Sequence, residues 1–170
     1  GGFNPLLDAF DRFVEAVDGP VVVGVDDAEG AALAARHGTA TVGTSAGSDW
    51  RLSGVVESWE GVKFTLTGPV TGAFVLELPV PGLHNARNAA SAASLAVLAG
   101  ATPEAVVSAL ARFGGVARRF EHRGQAAGVV LVDDYAHLPT EVGAVLATAR
   151  SGGFSRVVAV FQPHRFSRTE

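Results

Sequence analysis

The 170 residues carry a formal net charge of −4, a hydrophobic fraction of 48% and no cysteine. Mild acidity argues against a nucleic-acid partner, which calls for a basic patch, and the lack of cysteine excludes a disulfide framework or a thiolate metal site. No apolar run reaches the roughly 18–20 residues of a membrane span, and the chain opens with no signal-like stretch, so the default reading is a soluble cytoplasmic protein without a membrane partner.

In chain order, Asn4-Pro5 resembles a helix start, with Asn as N-cap and Pro at the first helical position. Leu6, Leu7, Phe10, Phe13, Val14 and Val17 follow at helical spacing until Asp18-Gly19-Pro20 stops the helix. Val21-Val22-Val23-Gly24-Val25 is a continuous apolar run, the pattern of a strand buried on both faces, and it ends in Asp26-Asp27. A helix over 28–37 and a short strand over 39–42 complete a β-α-β unit, which predicts parallel pairing. From 49 to 80 the texture changes to alternating runs separated by turn residues, an antiparallel meander. An alanine-rich helix is predicted over 84–99, with Leu95 and Leu98 facing inward and Gly100 at its C-terminal cap. Thr102-Pro103-Glu104 opens another helix that runs to about Arg112. Gly114-Gly115 is the best boundary candidate, because paired glycines permit a hinge. Beyond it come paired strands over 120–125 and 129–132, a helix over 139–150 and a last strand over 156–161.

Four constellations could carry chemistry. In His84-Asn85-Ala86-Arg87-Asn88, at a helix start, the two asparagine amides share one face, and each offers the donor and acceptor that an adenine edge needs. The plainer alternative is one cap and one solvated amide. Arg118-Arg119, just after the hinge, could form a solvated ion pair or reach a phosphate with a planar fork. Asp133-Asp134-Tyr135-Ala136-His137 sits where an apolar strand ends, the edge at which open α/β sheets bind ligands. There Asp133 or Asp134 could accept from a ribose, while Tyr135 and His137 could contact a substrate; the alternative is a helix cap beside an exposed histidine. In Phe161-Gln162-Pro163-His164-Arg165-Phe166-Ser167-Arg168, the residues His164, Arg165 and Arg168 form a cationic cluster suited to a carboxylate or phosphate. If the sheet is parallel, this cluster and the Asp134 loop lie on one edge. The phosphate-cradling Gly-x-x-x-x-Gly-Lys-Ser/Thr loop is absent. So is the Gly-x-Ser-x-Gly elbow, and the five histidines show no metal spacing.

Taken together and in this order, four segments resemble the Mur ligases, ATP-dependent amide ligases of peptidoglycan precursor synthesis. They are Gly82-Leu83-His84-Asn85-Ala86-Arg87-Asn88-Ala89-Ala90, Phe113-Gly114-Gly115-Val116-Ala117-Arg118-Arg119-Phe120, residues 133–141 and residues 161–169. The likeness is greatest to the branch that joins L-alanine to UDP-N-acetylmuramate. It implies an α/β fold: part of a central ATPase domain (parallel sheet plus antiparallel meander) over 1–115, then the start of a Rossmann-like C-terminal domain over 116–170. It implies ATP and Mg²⁺ as cofactors, UDP-N-acetylmuramate and L-alanine as substrates, and a reaction through an acyl phosphate that the amine attacks. Asn85 and Asn88 would contact adenine, Arg119 the γ-phosphate and Asp134 the ribose. Tyr135 and His137 would place the amino acid or the muramate end, with Arg119 and His137 as the catalytic pair. His164, Arg165 and Arg168 would bind the UDP-muramate substrate.

Ala136 and Leu138 depart from the family, which usually has glycine and a second histidine there. With no methionine and an end directly after a polar cluster, the chain reads as an internal piece of the ligase, inactive alone. The phosphate loop and the Mg²⁺ ligands would then precede Gly1. Two other readings stay open: a ligase that recycles a murein tripeptide, and a non-catalytic nucleotide-binding module. The oligomeric state is not fixed by the sequence.

Overall fold

The computed structural model describes residues 3–163. Its elements are α1 (Phe3–Glu15), β1 (Val22–Gly24), α2 (Ala28–His37), β2 (Ala40–Gly43), β3 (Trp50–Ser58), β4 (Gly61–Gly68), β5 (Gly72–Leu78), α3 (Leu83–Leu98), α4 (Pro103–Leu110), β6 (Glu121–Ala126), β7 (Val129–Asp133) and α5 (Pro139–Ser151). Strands β1 to β5 form one sheet in sequence order, parallel across β1-β2-β3 and antiparallel across β3-β4-β5. The α/β reading, with a β-α-β unit leading into a meander, holds. Among the described residues no helix is long and apolar enough to cross a membrane.

The core follows from period-two alternation. Val62, Phe64 and Leu66 of β4 point inward and Lys63 outward; Leu76 and Leu78 of β5 and Trp50 and Leu52 of β3 join them. The alternation of β3 is interrupted once. Ser53 pairs with Thr65, but Val56 pairs with Lys63, and between them Gly54 takes a φ of +60°, so β3 carries one extra residue. Helix α3 covers the sheet with Ala86, Ala89, Ala90 and Ala93, all buried. This corrects the expectation for Leu95 and Leu98, which are 42% and 36% exposed. At about 100° per residue the four alanines span one narrow stripe and Leu95 stands opposite it. The small residues let the helix lie close to the sheet. Helix α2 approaches closely too: a Cβ on Gly30 would lie 2.1 Å from the Gly24 carbonyl oxygen.

Helix ends follow local chemistry. Asp27 caps α2 by accepting from the Gly30 N–H at 2.8 Å, and Gly38 closes it with φ +61°. Thr102 caps α4 through the Ala105 N–H. Helix α1 corrects the Asn4 expectation: it already includes Phe3, so Asn4 lies inside its first turn. Its apolar stripe is also more exposed than a core helix would be, since Phe3, Leu6, Phe10 and Phe13 are each at least half exposed. Its side-chain tie is Asp11, which pairs with Arg36 and His37 of α2.

The remainder is a two-stranded sheet, β6 antiparallel to β7, closed by Ala127-Gly128, both at positive φ, and then α5, which meets α3. The strand expected over 156–161 does not form. Residues 156–163 have no regular structure and Val160 is 95% exposed. A continuous apolar run becomes a strand only when it pairs with an edge, and among the described residues β7 pairs only with β6. Of the cationic cluster expected on the same edge as the Asp134 loop, His164, Arg165 and Arg168 lie outside the described residues.

Candidate nucleotide and substrate site

The start of α3 is built by Gly82, which takes φ +104°. A Cβ there would fall 2.7 Å from His84 Cε1 and 2.7 Å from Thr148 Oγ1, so the glycine lets α3 meet α5. Asn85 turns its Nδ2 back to the Pro81 carbonyl at 2.7 Å. Asn88, nearly one turn on, is exposed and lines a cavity of about 250 Å³ at the carboxyl ends of β1 and β2, shared with Gly24, Asp26, Gly43 and Arg87. The two amides thus divide: Asn85 shapes the loop and Asn88 faces open space.

Two further polar residues of this cavity went unassigned in the sequence reading. Asp26 Oδ2 meets Arg87 Nε at 2.9 Å, and Asp26 Oδ1 accepts from the Thr44 N–H and hydroxyl, each at 2.8 Å. Partial burial works to raise the Asp26 carboxyl, but the two Thr44 donors and the Arg87 guanidinium outweigh it and hold it below the ordinary carboxylate range. The signal was present: Asp26 follows an apolar strand, as Asp133 and Asp134 do.

At the second strand end, Asp134 is committed to its own loop. Its Oδ2 accepts from the Phe120 N–H at 2.7 Å and its Oδ1 from the Ala136 N–H at 2.6 Å. Each carboxylate oxygen keeps a second lone-pair direction for a hydroxyl. Arg119 lies beside Phe120 and its Nη1 stands 3.6 Å from Glu141 Oε1, with the side chain about half exposed. Arg118 pairs loosely with Asp133 at 3.7 Å and lies over the Tyr135 ring at 5.0 Å. His137 Nδ1 sits 2.9 Å from the Tyr135 carbonyl, and its ring meets that of Tyr135 edge-on at 5.3 Å.

Leu138 occupies the N-cap of α5 and offers no side-chain cap. Glu141 replaces it, accepting the N–H groups of His137 and Leu138 at 3.1 and 3.2 Å. The His137 N–H, then the Leu138 N–H and the charges of His137 and Arg119, lower the Glu141 carboxyl despite partial burial.

His84 joins the two ends. It is half-buried, which depresses its imidazole; the carboxylates of Asp134 and Glu57 act upward and Arg119 downward. The start of α3 therefore lies within electrostatic reach of Arg119 and Asp134. Asn88 and Arg119 nevertheless line different cavities. That of Arg119, about 480 Å³, runs between Trp59, Pro79 to Pro81, Gly114 to Ala117 and Phe120. An amide, a guanidinium and a carboxylate are the kinds of donor and acceptor a nucleotide requires. For a divalent cation the described residues offer no cluster of three carboxylates or imidazoles.

Comparison with known proteins gives a family for each stretch. A model described as the Mur ligase middle domain matches residues 3–96, and one described as the Mur ligase glutamate ligase domain matches residues 118–169. The Gly114-Gly115 pair falls between them. The chain is 44% identical over 99% of its length to a UDP-N-acetylmuramate–L-alanine ligase of Arthrobacter and 47% identical over 99% to that of Kineococcus radiotolerans. It spans a little over a third of those relatives, 37% of each. Among solved structures, the UDP-N-acetylmuramate–alanine ligase of Thermotoga maritima superimposes with a TM-score of 0.75 at 28% identity, covering 89% of this chain and 34% of that one. MurF of Acinetobacter baumannii, at 24% identity and a TM-score of 0.76 over 87% of this chain and 34% of its own, shares the fold.

Proposed function

The chain belongs to the Mur ligase family, and we propose that it serves the ATP-dependent joining of L-alanine to UDP-N-acetylmuramate in peptidoglycan precursor synthesis. The observation that carries this is identity of 39–47% over 99% of the chain to relatives that share that one name. We place the boundary between the ATP-binding and C-terminal domains at residue 115.

In this reading Asn88 meets the adenine edge and Asn85 fixes the turn that presents it. Asp134 receives a ribose hydroxyl through the lone pairs its loop leaves over. ATP, when bound, supplies the phosphoryl group that turns the muramate carboxylate into an acyl donor. Arg119 gathers the charge that builds on the transferred group, and Tyr135 and His137 hold the amine and carboxylate ends in line. Such a reaction asks a protein for positioning and charge neutralisation more than for covalent chemistry. His137, with its Nδ1 beside the Tyr135 carbonyl, is the second catalytic candidate after Arg119. His164, Arg165 and Arg168 bind the UDP-muramate end. Mg²⁺ is supplied with ATP, and its ligands lie outside the described residues.

The test is phosphate release by the ligase that carries this chain, given ATP, UDP-N-acetylmuramate and L-alanine. Release that needs all three supports the reading. Release with a murein tripeptide in place of L-alanine replaces it with the recycling ligase, and ATP binding without turnover replaces it with a binding module. The 170 residues alone, which lack a Gly-x-x-Gly-Lys-Thr loop, are expected to release none.

A further inference from the structure

Trp59 stands in the turn between β3 and β4, where a hairpin end in water is ordinarily served by small polar residues. Its indole meets Phe154 edge-on with centroids 4.6 Å apart, Phe120 at 5.5 Å and His122 at 6.4 Å. All three partners follow the Gly114-Gly115 pair. Gly152 is seated against the same ring: a Cβ there would lie 2.9 Å from Trp59 Cε3 and 2.7 Å from Phe154 Cε2. The hairpin end of the five-stranded sheet is thus plugged into an aromatic socket on the C-terminal region.

The socket touches the segment that carries Arg119. Arg118 and Phe120, on either side of it, have φ of +58° and +48°. Bulky L-residues adopt that region only when their surroundings over-determine it. From one side Glu121 accepts the Arg118 N–H, Asp134 accepts the Phe120 N–H, and the Tyr135 N–H donates to the Arg118 carbonyl. From the other side Trp59 holds the Phe120 ring, one of the two buried side chains among residues 116–163. We propose that Trp59 is a positioning residue for Arg119: the anchor through which the five-stranded sheet fixes the left-handed turn at 118–120, and with it the direction of the guanidinium. An indole suits the task, joining a wide rigid contact to a preference for edge-on neighbours. The proposal rests on the phosphate-facing role given to Arg119 above.

The experiment uses the full-length ligase. Trp59→Ala is expected to weaken ATP binding about tenfold, the order of one lost charge-assisted contact. AMP, which lacks the γ-phosphate, should bind as before, and Trp59→Phe should return ATP affinity to within about twofold of wild type by keeping an aromatic edge. Because Trp59 acts through Arg119, the Trp59→Ala and Arg119→Ala effects should be non-additive in a double-mutant cycle. Phe154→Ala tests the socket from the other side without touching the hairpin. It should weaken ATP binding in the same way and leave AMP binding unchanged. Full additivity, or equal losses of ATP and AMP affinity, overturns the proposal. A wild-type protein that binds no ATP overturns the nucleotide reading itself, and that control separates the two failures.

Discussion

The five-stranded region and the C-terminal region differ in how they are held. The first has a closed core in which Trp50, Phe64, Leu66 and Leu76 are fully buried under the alanine stripe of α3. The second buries only Phe120 and Thr148 among residues 116–163, and leaves Val129 and Leu131 of β7 more than half exposed. A two-stranded sheet with one helix cannot enclose side chains by itself. Its order comes instead from directional bonds in the Asp134 and Glu141 loops and from aromatic contact with Trp59. One region is stabilised by area removed from water, the other by hydrogen bonds and a borrowed surface.

The contrast can be broken most severely at Phe64. Truncation to alanine should cost about 3–5 kcal/mol in chemical denaturation, because the sheet cannot collapse onto the void. A loss below 1 kcal/mol would mean the core is looser than its burial indicates. Gly68→Ala should come next, at about 1–3 kcal/mol. Its Cβ would lie 2.2 Å from Trp50 Cζ3, and a fully buried ring has little room to retreat.

Acid should act on the bonded loops before the core. Asp26 and Glu141 have folded values below their unfolded ones, so their contribution is complete above the unfolded value near 4 and fades as pH falls through the folded values. The protection of the His137 and Leu138 amides against hydrogen exchange, relative to the intrinsic rate at each pH, should therefore fall below pH 4 while that of Phe64 persists; loss of both together would remove the distinction. The smallest effect belongs to Leu131→Thr, within about 0.5 kcal/mol because that side chain is already half in water. A thermal shift like that of Phe64→Ala would show a hidden core in the second region.

Most elements were legible because their signals are local. The alternation of β4, the Asp27 and Thr102 caps and the continuous run of β1 each need only neighbouring residues. Where the reading failed, the deciding partner was distant. Leu95 and Leu98 are large and apolar, yet the sheet took the alanine face of their helix, since close approach contributed more than side-chain size. Residues 156–161 have a strand's composition yet pair with neither strand of the small sheet. The site was half legible. The polar density after β7 marked Asp134, but that its carboxylate would bridge to the Phe120 amide depends on a contact across 14 residues. Asn88 and Asn85 looked equivalent by spacing and were separated only by the Pro81 carbonyl. Trp59 gave no signal, because a turn tryptophan has meaning only once its socket is seen.

The extra residue in β3 reaches further than the kink it makes. Up to Leu52 the even-numbered side chains face the core; past Gly54 the phase changes and Val55 packs against it. Side chains on a strand alternate between faces, so the extra residue moves the inward set from even to odd numbers while the pairing with β4 keeps its phase. Deletion of Gly54 would set Val55 opposite Phe64 in an unbroken ladder, still on the core side, and leave the hairpin end and its indole in phase with β4; what is lost is the bend and added twist of the bulge. The bulge is thus the one place in β3 where a one-codon deletion keeps every later side chain on its face, whereas a deletion on either side of it would have to be absorbed by the bulge or turn the strand over.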